Sequence, residues 1–226
     1  MAILEYIGHS AFYIKTENAE ILLDPFIIGN PTANFNINNH QISDILLTHA
    51  HADHLGDAIP ISRSQKAQIT ATFELANYCA KQGAKVNPIN LGGKITFDWG
   101  DAWFVPAKHS SSTPDGAYAG DAAGIILNID GLKIYHAGDT ALSAEMNLIK
   151  DIYKPQIALL PIGGHFTMGI EEAAIASKIL GVEKVIPMHY NTFPTINADV
   201  NAFKYKVETY GIEAIILKAG EKIELW

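Results

Sequence analysis

The segment Thr48-His49-Ala50-His51-Ala52-Asp53-His54 places four side chains able to ligate a metal within six residues. Successive residues of an extended chain point to opposite faces, so His49 and His51 share a face and can present their imidazoles to one ion. A turn after them redirects Asp53 and His54 toward a second position, and the small Ala50 and Ala52 leave room for it. Imidazole and carboxylate donors suit Zn, Mn, Fe or Ni, whereas a structural zinc site would be expected to use thiolates. One turn cannot supply every ligand of two ions. Further donors are offered by His109, by Asp139 in His136-Ala-Gly-Asp-Thr and by His189 in Pro187-Met-His-Tyr. A carboxylate at 139 can lie between two cations and offset their repulsion.

Other polar residues have smaller parts in this reading. His165 follows Gly163-Gly164 and is read as a substrate contact or proton donor, so Asp53 and His165 are the catalytic candidates. Ser110, in the serine run after His109, and Tyr190, directly after His189, are candidate substrate contacts. His136, three residues before Asp139, is read equally as a hydrogen-bond partner of a ligand or as plain packing, and His9 as orienting the site from a neighbouring strand. His40, among Asn38, Asn39 and Gln41, reads as a solvated loop residue.

These residues need a scaffold that brings strand ends together. Strands are predicted over residues 3–7, 11–16, 20–23 and 44–47, the last running directly into the histidine segment. Further strands are predicted over 102–105, 124–129, 133–136, 157–160, 184–187 and 214–217. Asp130-Gly131 marks a hairpin between two of them. Helices are predicted over 72–81, 141–150, 170–180 and 198–210, with Gly181 closing the third and Asn197 capping the fourth. His109, Asp139 and His189 all fall at or just beyond predicted strand ends, where ligands of α/β enzymes collect. The order suits one layered α/β domain over residues 1–226.

The His-x-His-x-Asp-His segment, followed in order by single His, Asp and His residues at strand ends, resembles the metallo-β-lactamase superfamily over essentially the whole chain. The resemblance implies a four-layer αβ/βα sandwich of two mixed sheets with outer helices, and a site at its rim. By position it implies that His49, His51 and His109 hold one divalent ion, zinc by preference. Asp53, His54 and His189 would hold the other, and Asp139 would bridge both. It further implies that Asp24, in Leu-Leu-Asp-Pro-Phe, supports the metal loop, and that a metal-bridged hydroxide attacks an ester, lactone or phosphoester. Gly8-His9-Ser10-Ala11-Phe12 and Pro161-Ile-Gly-Gly-His165-Phe-Thr-Met are similar to the compact metal-dependent hydrolase branch. That branch is similar to the ascorbate-phosphate lactonases and, more distantly, to the N-acyl-phosphatidylethanolamine phospholipase D group. A homo-oligomer is compatible with this resemblance.

Composition narrows the alternatives. Of 226 residues, 16 are basic and 24 acidic, and no basic stripe exists, so nucleic acid is a disfavoured partner and a nuclease or phosphodiesterase is the secondary reading. A non-catalytic metal-binding protein is a further alternative, and the full ligand set weighs against it. A small-molecule substrate remains. No apolar run reaches the roughly 18–20 residues that span a bilayer, the N-terminus lacks a basic signal-peptide flank, and the single Cys79 suits a reducing cytoplasm. Cys79 itself is expected to be buried packing.

Overall fold

The computed structural model describes residues 2–225. Its strands have side chains that are apolar on both faces, and that decides the layering. In β3 (Glu20–Leu23), Ile21 and Leu23 join one buried cluster while Leu22 joins another. In β9 (Ala123–Ile129), Ile125 and Leu127 face the first cluster and Ile126 a third. Strands apolar on both faces must be covered on both, because each buried Leu or Ile contributes about 1.5–3 kcal/mol relative to exposure.

Two seven-stranded mixed sheets result. One has the order β14 (Lys222–Leu225), β1 (Ala2–Gly8), β2 (Ala11–Lys15), β3, β4 (Asp44–Leu46), β5 (Gln68–Thr72) and β6 (Lys85–Ile89). The other runs β13 (Glu213–Ala214), β12 (Lys184–Met188), β11 (Ile157–Pro161), β10 (Leu132–His136), β9, β8 (Gly100–Pro106) and β7 (Lys94–Phe97). Leu4, Phe12, Leu23 and Leu46 meet Phe104, Leu127, Leu159 and Ile186 between the sheets. Outside the first sheet lie α1 (Ala52–Leu55), α2 (Ala58–Gln65) and α3 (Phe73–Lys81), which contribute Leu55, Ile61 and Leu75. Outside the second lie α4 (Glu145–Tyr153), α5 (Ile170–Leu180) and α6 (Val200–Glu208), with Met146, Ala173 and Phe203 inward. The four-layer sandwich expected from the sequence is present. Among the described residues no helix is long and apolar enough to cross a membrane. Cys79 is fully buried in α3, and burial pushes its thiol up to about 12.

Several local expectations differ. The strand predicted over 214–217 is only the two residues of β13. After Ile215 N–H donates to Val185 O the chain leaves for the first sheet's edge strand, and Leu217 turns into the inter-sheet core. The last helix is capped by Asp199, whose carboxylate accepts from Asn201 and Ala202 N–H, and not by Asn197, which ends a short 3-10 turn. The fourth helix of the chain starts at Glu145 rather than 141, because the preceding residues are tied to the His109 loop: Ala141 N–H donates to Lys108 O at 3.2 Å. Strands β5, β6, β7 and β14 and helix α2 carry too short or too mixed a pattern to predict. His40 is not a solvated loop residue. Its ring stacks on Phe35 at 4.3 Å and lies 3.4 Å from Glu20.

Candidate metal centre

All the predicted donors emerge at one edge of the sandwich. The ends of β3, β4, β8, β10 and β12 lead into Asp24, His49, His109, Asp139 and His189, and the β1–β2 turn adds His9. Donor atoms of His49, His51 and His109 lie within 4.8 Å of one another, and so do those of His9, Asp53, His54 and His189. Asp139 sits between the two groups. Its oxygens are 4.0 Å from His49 Nε2, 3.5 Å from His109 Nε2, 3.2 Å from His54 Nε2 and 3.1 Å from His189 Nε2. The fold thus brings together every donor named from the sequence.

Buried Asp24 orients this centre twice over. One oxygen accepts Thr48 N–H at 2.8 Å; the other accepts Thr48 Oγ1–H at 2.6 Å and His54 Nδ1–H at 2.7 Å. Because its proton is directed at Asp24, the Thr48 hydroxyl is an acceptor for His49 Nδ1–H at 3.0 Å. With both rings neutral, as metal ligands must be, the Nε2 lone pairs of His49 and His54 face the site, a tautomer choice made by one carboxylate. Asp24 itself has φ 42°, a left-handed conformation that folds its side chain back under the loop.

Charge in the pocket is strongly coupled. Burial and the neighbouring His54 keep His49 neutral, well below its ordinary range. Burial opposes charge on His54 too, but the Asp139 and Asp24 carboxylates raise it well above the ordinary value. Burial would likewise raise Asp139, and His54 and His189 outweigh it, holding the carboxyl well below the usual range. Although they lie 3.2 Å apart, His54 Nε2 and Asp139 Oδ1 are both buried without a hydrogen bond of good geometry. Buried polar atoms left unpaired cost about 1–3 kcal/mol each, so two that converge on one point fit a cation that would occupy it. With zinc–nitrogen distances of about 2.0–2.1 Å, the donors of one ion lie about 4 Å or less apart, close to the spacing of each group.

His9 and His136 differ in what they hold. A carboxylate only accepts, so His9 Nε2–H donates to Asp53 Oδ2 at 3.0 Å and His9 Nδ1 accepts from the Thr192 hydroxyl at 2.9 Å. Burial pulls His9 down to about 4 despite this bond, so it is neutral. Burial alone would raise Asp53, but the His9 bond and the His54 charge hold it well below the ordinary range. His136 contacts no donor side chain. It bonds Ser10 O at 2.9 Å and accepts Gly138 N–H at 3.1 Å, tying the β1–β2 turn to the turn that carries Asp139.

Thr192→Val removes the hydroxyl that orients His9. We expect zinc affinity at the Asp53 side to fall about 10–100-fold while the fold is kept, with Thr192→Ser restoring it. A competition titration with a zinc-binding dye measures this, and unchanged affinity in the valine variant would remove Thr192 from the site.

The remaining candidates are peripheral. His165 is exposed at φ 48°, its ring 4.4 Å from Phe166, on a loop fastened to the centre by Met168 N–H donating to Thr140 O. Ser110 is exposed beside His109, while its neighbour Ser111 accepts Ala50 N–H at 3.2 Å and braces the histidine segment. Tyr190 is half-buried and packs against the core that α5 and α6 cover. Thr48 is a support that the sequence does not single out, and Ser111 and Thr192, expected from their positions at most to contact substrate or line the pocket, brace the histidine segment and His9 instead. Each lies close along the chain to a candidate donor or substrate contact, but hydroxyls in loops are too common for that to be a signal.

A family model described as the β-lactamase superfamily domain matches residues 20–190. Over their full lengths, the chain is 46% identical to a metal-dependent hydrolase of Thermus thermophilus across 225 residues. It is also 46% identical to one of Pyrococcus furiosus across 229. A solved structure, a novel metallo hydrolase from the hyperthermophilic archaeon Ignicoccus hospitalis, superposes with a TM-score of 0.91 at 40% identity, covering 100% of this chain and 99% of that one.

Proposed function

Because the chain belongs to the β-lactamase superfamily, in its group of metal-dependent hydrolases, we propose that residues 1–226 form one domain that hydrolyses an ester, lactone or phosphoester of a small molecule at a dinuclear centre. His49, His51 and His109 would hold one divalent ion, Asp53, His54 and His189 the other, and Asp139 would contact both. Such a pair of ions supplies positive charge that lowers the pKa of water and polarises the carbonyl or phosphoryl oxygen. The chain's own part is orientation. Asp24 and Thr48 aim His49 and His54, and His9 fixes Asp53. Asp53, whose side chain is 32% exposed, is the ligand placed to meet an attacking water and accept its proton. His165, on the loop over Thr140, is assigned to donate a proton to the leaving oxygen.

The observation that carries this reading is the convergence of four imidazoles on the single Asp139 carboxylate. Dialysis against a chelator is expected to lower kcat/KM on an ester, lactone and phosphodiester panel by about a thousandfold or more. Adding back Zn, Mn, Fe or Ni, with elemental analysis of the reloaded protein, should restore it. Turnover indifferent to chelation would overturn the proposal, and metal binding without any turnover would favour a binding protein instead.

A further inference from the structure

Large apolar side chains are exposed on this protein in an uneven way. Four lie in the outer helices beyond their first residue: Leu148, Ile152, Ile175 and Tyr205. The other five lie where strands deliver the candidate donors: Ile28 (79% exposed), Phe73 (54%), Tyr118 (71%), Phe166 (58%) and Phe193 (38%). Ile28 is in the strap after Asp24, Phe73 opens α3 at the end of β5, and Tyr118 is on the His109 loop. Phe166 follows β11 and Phe193 follows His189. Turns at the opposite edge, such as 16–19, 65–67, 130–131 and 181–183, expose none among the described residues. Those turns carry Glu17, Lys66, Asp130 and Glu183 instead.

Phe193 carries the apolar rim to the centre. Phe193 lies 5.7 Å from the His9 ring and 6.5 Å from Phe26. Beyond the donors themselves, Phe73, Tyr78 and Tyr118, with Glu74 and Lys81, line a cavity of about 320 Å³, and Ile27, Ile28, Ile37 and Ile61, with Asp57 and Gln65, one of about 260 Å³. An engineered apolar cavity of about 150 Å³ accommodates benzene, so either has room for a short alkyl or aryl group. Charge points the same way. Across residues 24–43, 47–57, 107–122, 137–144, 162–169 and 189–199 the only lysine or arginine is Lys108, and its Nζ is 2.7 Å from Glu145. An anionic group beside the centre would meet no free cation in these loops, and Lys81 borders only the cavity under Phe73 and Tyr118.

The geometry points to a substrate whose non-reacting part is uncharged and apolar: an ester or lactone with an alkyl or aryl group, rather than a sugar phosphate or nucleic acid. This rests on the hydrolytic reading above. The metal-loaded protein is assayed with p-nitrophenyl acetate, butyrate and hexanoate, and with the p-nitrophenyl half-ester of adipic acid. From acetate to hexanoate kcat/KM is expected to rise about tenfold or more, and the half-ester to lose that gain. Phe166→Ser and Phe193→Ser should flatten the chain-length dependence, whereas Leu148→Ser, on the outer helix, should leave it intact. Equal rates along the series, preference for the half-ester or for a dinucleotide, or self-association that Ile28→Ser and Phe166→Ser abolish together with an absent chain-length effect would each overturn the inference. Calorimetry of the metal-free protein with 2-butanone and 2-octanone separates the two claims. Tighter binding of octanone without turnover of any ester would sink hydrolysis but retain the apolar subsite.

Discussion

Replacing Asp139 by asparagine is expected to lower kcat/KM by about a thousandfold or more and to reduce metal content from two equivalents toward one. The carboxylate is the one group in reach of four imidazole nitrogens, at 3.1–4.0 Å. Asparagine keeps the shape and removes the charge. Two divalent ions held largely by neutral histidines would then lose the anion that offsets their repulsion, and the weaker-held ion should leave first. The substitution is nearly isosteric, with one acceptor oxygen becoming an amide donor, so the variant should fold. Its metal content by elemental analysis and its kcat/KM on the best ester are the measurements. A variant with two ions and wild-type turnover would show that Asp139 is a bystander.

Gly56→Ala should be among the most damaging single substitutions for stability, although it removes no side chain. Gly56 has φ 42° and ψ −125°, where an L side chain is strained, and a Cβ there would lie 2.3 Å from Pro25 O and 2.7 Å from Phe26 Cα. Backbone on both sides prevents an easy retreat. Asp57 tightens the contact, since its carboxylate accepts Ile27 N–H at 2.9 Å and Ile28 N–H at 2.8 Å. The strap carrying Asp24 and the helix carrying His54 are thus clamped to each other at Gly56. Relief of the clash must shift one of them, at a cost of about 3 kcal/mol or more. For a chain of this length that is a fall in Tm of about 6–12 °C, with metal affinity lost alongside. Gly92→Ala is the control. It has φ 83° but open space around the added Cβ, so strain alone should cost about 1–2 kcal/mol. Equal melting temperatures for the two variants would refute the packing argument.

The candidate donors are legible in the sequence because each is signalled locally. The segment from His49 to His54 needs only its own strand and turn, and His109, Asp139 and His189 each follow a short apolar run that signals a strand end. Their grouping around one carboxylate is legible only through family resemblance. His54 and Asp139 are 85 residues apart along the chain, and a separation of that size carries no information about distance in space.

Other features are out of reach for the same reason. The His9–Thr192 bond joins residues 183 apart in the sequence. The Asp24 contacts that aim His49 and His54 depend on a left-handed turn that no local pattern announces. The short strands β5, β6 and β7 are held by their neighbours' ladders, so their own residues need little intrinsic preference.

By itself the sequence determined which chemistry is available: imidazoles and carboxylates at strand ends, an acidic balance without a basic stripe, and enough two-faced apolar strands to require covering layers. Only the tertiary structure decided which lone pairs face inward, that one carboxylate lies within reach of four histidines, and that large apolar side chains such as Phe166 and Phe193 are exposed at the edge that carries them. The physical reason is that donor identity is a property of residues, whereas tautomer, convergence and exposure are properties of neighbours that the chain brings together only on folding.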